Sequence, residues 1–412
     1  MTSTLHNLAW RPVSMAVALA VLAASAQAQS RVYREGSSWV EETSGDVAAA
    51  KVLRVRTDLG SVSVDGSGSN GVHYTVRKRV NASSEEAARR MFETLRVAAL
   101  NRADQTIISG DSHGEWHRGS VQIQVVAPRQ MDLVKVNTDG GDVSVNHVSG
   151  RTEIETGGGR VAVDDIGGLA KIESGGGNVH VGTVGNTLEL RSGGGNVDVN
   201  TAGASTALET GGGNVSVNAI RGDLKVETGG GNISVKTVGG GLRASTGGGN
   251  LDLGQVGGQV AAETGGGSIR ISSGWGVTAE TGAGTIQCYN VKHGLRATTG
   301  AGGITAQFIG NKGDFSDSRL EAGMGDIVVY LPSDVGVHVI ASIDLANGHG
   351  IQSEFPGLKI QREEGYGPGE ASAEGTIGGG GPTLKLHTTA GNISLKRISK
   401  IVASDEDVMG QE

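Results

Sequence analysis

From Thr138 onward the apolar residues fall on a lattice with a period of 18. Val143, Val161, Val179, Val197, Val215, Ile233, Leu251 and Ile269 form one column. Two residues on, Val145, Val163, Val181, Val199, Val217, Val235, Leu253 and Ile271 form another. An i, i+2 spacing places both columns on one face of a strand. A third column runs Val148, Ile166, Val184, Ala202, Ile220, Val238, Val256, and a fourth runs Ile154, Ile172, Leu190, Leu208, Val226, Ala244, Ala262. Each unit therefore predicts a strand, a bend, a second strand and a glycine-rich bend. Two short strands cannot bury a face alone, so the units must stack, aligning the columns into a continuous core. At about 1.5–3 kcal/mol per buried aliphatic side chain, the columns contribute several kcal/mol per coil before entropy is subtracted.

The bends read TDGG, TGGG or SGGG, followed in several units by asparagine. Two roles are expected for these glycines: to supply positive φ, and to keep a Cβ away from the coils above and below. Asn178, Asn196, Asn214, Asn232 and Asn250 would stack as a side-chain amide ladder. A phosphate-cradling role for the glycines would need a helix after the loop, and no helix pattern follows any copy.

The lattice divides the chain. Residues 138–310 hold the regular array. Residues 29–137 contain strand-like runs at 51–56, 72–77 and 120–126. A helix starts in the same segment at a capping box, Ser83-x-x-Glu86, with Ala88, Met91, Phe92 and Leu95 on one face. This segment reads as an N-terminal cap or lobe, because a bare solenoid end exposes core and unpaired edges. Residues 311–400 lose the register but stay β-like, with strands at 326–331 and 336–343 and a closing pair within 384–397. Fainter copies of the unit stand at Thr57, Ala322 and Thr389. Residues 401–412 read as a disordered acidic tail.

Composition excludes several classes. Glycine reaches 71 of 412 residues with only six prolines and no G-x-y period, which rules out collagen. Net charge is -8 with no long basic run, so the electrostatic footprint of a nucleic-acid binder is missing. Residues 1–28 read as a secretory signal: Arg11, a short apolar run over 13–24, then Ala26-Gln27-Ala28 as the cleavage pattern. The expected product is extracytoplasmic, with no membrane span after cleavage. Cys288 is the sole cysteine, so no internal disulfide staples the fold.

Candidate chemistry is sparse. His113, Glu115 and His117 alternate as a divalent-ion loop would, but no further ligand is in view. Asp164, Asp165, Asp198 and Asp252 lie on the array, and Asp198 and Asp252 are three coils apart, roughly 14 Å. That is too far for a catalytic carboxylate pair. Cys288 falls in the second inward column and reads as core. Trp275 is the sole aromatic between Thr138 and Glu280, a poor start for a sugar platform. The expectation is no catalytic, cofactor or metal residues.

The signal segment, TDLGSVSV, the lead-in VQIQVVAPRQMDLVKVNTDGGDVSV, the TGGGN repeats and TLKLHTTAGNISL together resemble the bacterial putative-adhesin β-strand-repeat domain of unknown function, over residues 45–397. The resemblance implies an all-β, right-handed parallel β-helix or β-solenoid of the cell envelope and supplies no catalytic residues. It points to a non-enzymatic adhesin-like or structural protein, whose partner is an envelope protein or glycan, with self-association through the solenoid ends as a further option. The alternative is a carbohydrate-active β-helix, either polysaccharide lyase or glycan binder.

Overall fold

The computed structural model describes residues 29–68, 70–112, 119–310, 313–362 and 369–398. The signal segment, the candidate metal loop at 113–117 and the acidic tail lie outside these residues. Among the described residues every regular element is a strand except one helix, Glu85–Phe92. In the array each coil has a six-residue first strand, such as Val197–Ala202, buried at its first, third and sixth positions. Its five-residue second strand, such as Thr206–Thr210, is buried at alternate positions. First strands pair in parallel with first strands, Val197 with Val215 and Val215 with Ile233. Second strands do likewise, Leu208 with Val226. Each residue thus sits on its counterpart 18 positions away, and the four apolar columns are the core, with Val215 and Val217 buried. The architecture is a stacked parallel β-solenoid.

Two further columns point inward. The first residue of strand two supplies Ala170, Leu188, Thr206, Leu224, Leu242 and Val260. The last supplies Thr156, Ser174, Ser192, Thr210, Thr228, Thr246 and Thr264, all buried. A buried hydroxyl must be paired. Thr228 does this across coils: its Oγ1 donates to the Gly213 carbonyl of the coil below at 2.8 Å and accepts from the Gly231 N–H of its own bend at 3.3 Å. Thr246 and Thr264 repeat the pattern. The first coils are wired differently. Thr138 Oγ1 donates to the carbonyl two residues on, Gly140, and Thr156 to Gly158. Ser174 stands at the changeover, and its hydroxyl has no partner among the described residues.

The glycines divide by position within the bend. Positive φ occurs three residues past the threonine in the early coils, at Gly141 (125°) and Gly159 (90°). In the central coils it does not occur there, and close stacking is the reason for glycine instead. A Cβ on Gly213 would lie 2.0 Å from the Gly195 carbonyl oxygen, and one on Gly211 would lie 2.2 Å from that of Gly193. Gly212 between them faces open space. The degraded copies change that middle position, to Ala283, Ala301 and Met324. The asparagines differ from the expected amide–amide ladder. Asn196 Oδ1 accepts from the backbone N–H of Asn214 at 2.9 Å, and Asn214 Oδ1 from that of Asn232 at 2.8 Å. Asp142 does the same for Arg160 at 2.8 Å, and that N–H holds the Asp142 carboxyl below its ordinary range.

The stack continues past both limits of the array. Val62 pairs with Val143 and Leu53 with Val134, so the faint copy at Thr57 is a rung. Below it lie Gln105–Ser112 and Gly119–Pro128. Antiparallel strands then close that end: Gly71–Val80, Ser38–Ala48 and Gln29–Glu35 on one side, and Leu95–Arg102 on the other. The helix is capped by Ser84, whose Oγ accepts from Ala87 N–H, one residue later than Ser83, so Glu86 cannot complete a capping box. Ala88 and Phe92 are its buried residues, and Leu95 opens the next strand. At the other end Ser318–Met324 and Ile327–Leu331 carry Thr383–Ala390 and Ile393–Arg397. The last parallel rung is Val337–Ile343, covered by antiparallel Ala371–Ile377 and Leu358–Arg362.

Candidate functional site

The carboxylates singled out in the sequence are dispersed, and Asp164, Asp165 and Asp198 have partners. Asp164 Oδ1 accepts from the backbone N–H of Asp165 at 2.9 Å and of Thr183 at 2.7 Å. Asp165 receives both ends of the Arg129 guanidinium at 2.7 and 2.9 Å, and that pairing lowers its carboxyl pKa. Asp198 meets His180 of the coil below at 3.0 Å, both side chains exposed. Asp252 lies in register between Ser234 and Arg270. Asp198 and Asp252 remain three rungs apart through Ser216 and Ser234. Cys288 is buried between Ile271 and Ala306, and desolvation pushes its thiol from about 9 to about 12.

The structure draws attention instead to the bend between strand one and strand two. The coil from Thr264 to Thr281 is one residue short, and its two strands run together as Ile269–Thr281. The missing residue comes out of this bend, where the register shifts between Trp275 and Val277. Earlier coils carry small residues there, such as Gly239-Gly240-Gly241 and Gly257-Gly258. Here Trp275 stands out, 44% exposed, its backbone N–H bonded to the Gly258 carbonyl at 3.2 Å. His293 of the next coil stacks on it with ring centroids 4.3 Å apart and planes 23° apart. His293 holds this position with φ at 72° and with Nδ1 3.2 Å from the Asp314 carbonyl oxygen. Sequence reasoning counts a lone tryptophan and misses the second ring. His293 lies one residue past Lys292, the register partner of Trp275, so the local slip in register hides the pair from a fixed period.

A groove of about 960 Å³ passes the residues that directly follow these rings in the chain. It crosses the starts of the second strands along the rod axis, from Thr187 to Asp317, and includes Gly276 and Gly294, the neighbours of Trp275 and His293. One outward row through it reads Lys225, Arg243, Ala261, Thr278, Arg296, rung by rung. Two residues on, each cation meets a different neighbour. Lys225 pairs with Glu227 at 2.9 Å, whereas Arg243 is followed by Ser245 and Arg296 by Thr298. Among the described residues no carboxylate lies within ion-pair distance of Arg243 or Arg296. Glu321, which feels the Arg296 charge, is bonded by Arg319. The acids lining the groove are engaged or distant. Asp223 accepts from Gly241 N–H at 2.8 Å and Asp317 from Thr383 N–H at 2.8 Å, while Glu189 sits at the far end.

No protein-family model matches the chain, and no curated protein matches it. Solved structures do. A putative cell adhesion protein from Clostridium sporogenes is 9% identical, with 90% of this chain and 99% of that one covered, at a TM-score of 0.15. A putative adhesin from Bacteroides fragilis is 12% identical, covering 87% and 97%, with a TM-score of 0.20. One from Parabacteroides distasonis is 12% identical, covering 87% and 97%, with a TM-score of 0.24. Their superposition on this chain is loose, so the solenoid assignment rests on the strand register. Among the described residues no helix is long and apolar enough to cross a membrane.

Proposed function

We propose that this chain is an exported adhesin-like or structural rod of the bacterial cell envelope, acting without catalysis. The observation that supports this most is repetition of the outward surface. Residues such as Ser216 and Ser234, or Asn200 and Asn218, recur on adjacent coils at intervals of roughly 4.8 Å. A surface of that kind offers many weak, equivalent contacts to an extended partner, which suits adhesion or scaffolding through avidity. Catalysis needs a few dissimilar groups converging on one point. The separation of Asp198 and Asp252 weighs against a hydrolase or lyase arrangement.

Self-association through the ends of the rod would have to overcome charge. The outer strands at the two ends, Leu95–Arg102 and Leu358–Arg362, carry Arg96 and Arg102 at one end and Lys359 and Arg362 at the other. Like charges on both edges disfavour edge-to-edge pairing.

The test is location and processing. Protein from the envelope fraction should begin at Gln29 on N-terminal sequencing, and an intact Met1 on cytoplasmic material would sink the export reading. Against a polysaccharide panel the chain should give no cleavage. Turnover abolished by Asp198→Ala would overturn the non-enzymatic reading.

A further inference from the structure

We infer that the groove beside Trp275 binds a linear acidic polysaccharide laid along the rod axis, with a sugar face on the Trp275–His293 stack and its acidic groups at Arg243 and Arg296. The inference goes beyond the envelope role and rests on the site alone.

Length argues for a polymer. The groove crosses successive rungs spaced roughly 4.8 Å apart and has no closed pocket for a small molecule. Between Arg243 and Arg296 the outward row is Ala261 and Thr278, with Gly276 and Gly294 alongside, so the floor there is low and flat. The two cations stand three rungs apart, roughly 14 Å. Their outer neighbours in the row, Lys225 and Arg319, are each paired with a glutamate, so Arg243 and Arg296 are two widely separated cations without an acid partner on a chain whose net charge is -8. That arrangement suits a polymer bearing an acid on some of its units. A single nucleic-acid strand presents a phosphate about every 3.4 Å and would call for denser cations and several stacking rings. A peptide adding as a β-strand needs a free strand edge, and every strand under the groove is already paired on both sides.

The ring stack supplies what a saccharide needs and a generic polyanion does not. An exposed indole face accepts the apolar C–H face of a sugar ring, and the half-buried His293 beneath holds the indole in place. Lys292, the register partner of Trp275, adds a third exposed cation at this level.

The experiment is affinity electrophoresis of the purified full chain in gels containing polygalacturonate, dextran or poly-L-glutamate. Retardation is expected with polygalacturonate, weakening as salt rises. Dextran should give none, and poly-L-glutamate should bind at least about tenfold more weakly, a difference equivalent to 1.4 kcal/mol. Trp275→Ala should lose about tenfold on polygalacturonate, within the range for one aromatic contact. The double variant Arg243→Ser with Arg296→Ser should abolish retardation. Lys236→Ala, an exposed cation on the strand-one face, should behave as the parent. All substituted side chains are on the surface, and matching thermal melts confirm that each variant is folded. The inference is overturned by absent retardation, by equal binding to dextran, by equal binding to poly-L-glutamate, or by a Trp275→Ala chain that runs like Lys236→Ala. None of these outcomes touches the export reading, which is decided by fractionation.

Discussion

The middle of this rod and its ends solve opposite problems. In the middle, chain order is spatial order: each coil lies on the one just made, and every pairing spans one repeat. At the ends, order is broken. Val52–Thr57 and Ser61–Gly68 are sandwiched between rungs made later in the chain, and Thr383–Ala390 is inserted between Ser318–Met324 and Val337–Ile343. Both ends then turn antiparallel. A parallel stack cannot terminate itself, because its last rung always offers an open edge. Threading a distant segment into the penultimate rung and laying hairpins over the last one closes that edge with long-range contacts. The middle should thus be modular and tolerant of changes in length, and the ends should be cooperative and intolerant.

The largest expected effect breaks that comparison directly. Deleting residues 211–228 removes one whole coil and rejoins Thr210 to Gly229 in register, so the chain should fold and melt within a few degrees of the parent. Ending the chain at Pro382 unseats the inserted rung and leaves Leu320 and Ile327 facing an empty layer. That chain should be unfolded or aggregated at 25 °C by circular dichroism. If the two deletions melt alike, the modular and cooperative regions have been assigned wrongly.

A sharper contrast lies within one bend. Gly213→Ala would drive a methyl group to 2.0 Å from a backbone oxygen of the coil below, with stacked backbone on both sides and no flexible side chain to yield. A loss of at least about 3 kcal/mol is expected, at the upper end for single substitutions. Gly212→Ala points into open space at a negative φ and should be neutral or stabilise by about 0.4–1 kcal/mol, through the unfolded chain. Chemical denaturation of the two variants decides it. Equal costs would mean that the coils stack with a different bend in contact.

Much of the fold is legible in the chain itself. A fixed period defines the columns, and once Val215 faces inward, Ile233 and the rest of its column must follow. What is not legible has identifiable causes. Thr156 and its successors look like mere markers of the unit, although they lie two residues past Ile154 and so must share its inward face. Their polarity obscures a position fixed by alternation. The glycine run looks uniform because three identical letters hide two crowded positions around one open one. The insertion of rungs at the ends leaves no local trace, since pairing across distant segments is not written in either segment alone. At the candidate site Trp275 is visible, but its stacking partner is a histidine 18 residues on, beyond the stretch from Thr138 to Glu280 in which Trp275 is the sole aromatic.

The core thiol tests the middle of the rod by pH. Because burial holds the Cys288 thiol near 12 against about 9 when unfolded, the unfolded state releases its proton first as pH rises. The native state then binds more protons, so stability falls with rising pH between about 9 and 12, and this contribution is complete below 9. Burial raises the Tyr74 phenol in the N-terminal cap as well, with Asp46 adding to it, so both regions weaken in alkali. Cys288→Val, which gives the position the residue common in its column, should flatten the alkaline decline of the melting temperature without removing it. An unchanged slope would place the thiol in contact with solvent.

The smallest effect concerns the hydroxyl column, where the early and central coils differ in wiring. Thr228→Val keeps the shape of the side chain but strands the Gly213 carbonyl and the Gly231 N–H, both inside the stack. Unpaired buried groups cost about 1–3 kcal/mol between them. Ser174→Ala removes a hydroxyl that has no partner among the described residues, so nothing is stranded and the loss should stay within about 0.5 kcal/mol. The two residues occupy the same inward column, three coils apart through Ser192 and Thr210, so burial and backbone geometry are matched and hydrogen bonding is the variable. Urea denaturation with equal m-values measures the difference. Should Ser174→Ala cost as much as Thr228→Val, the changeover between local and cross-coil hydrogen bonding does not fall at that coil.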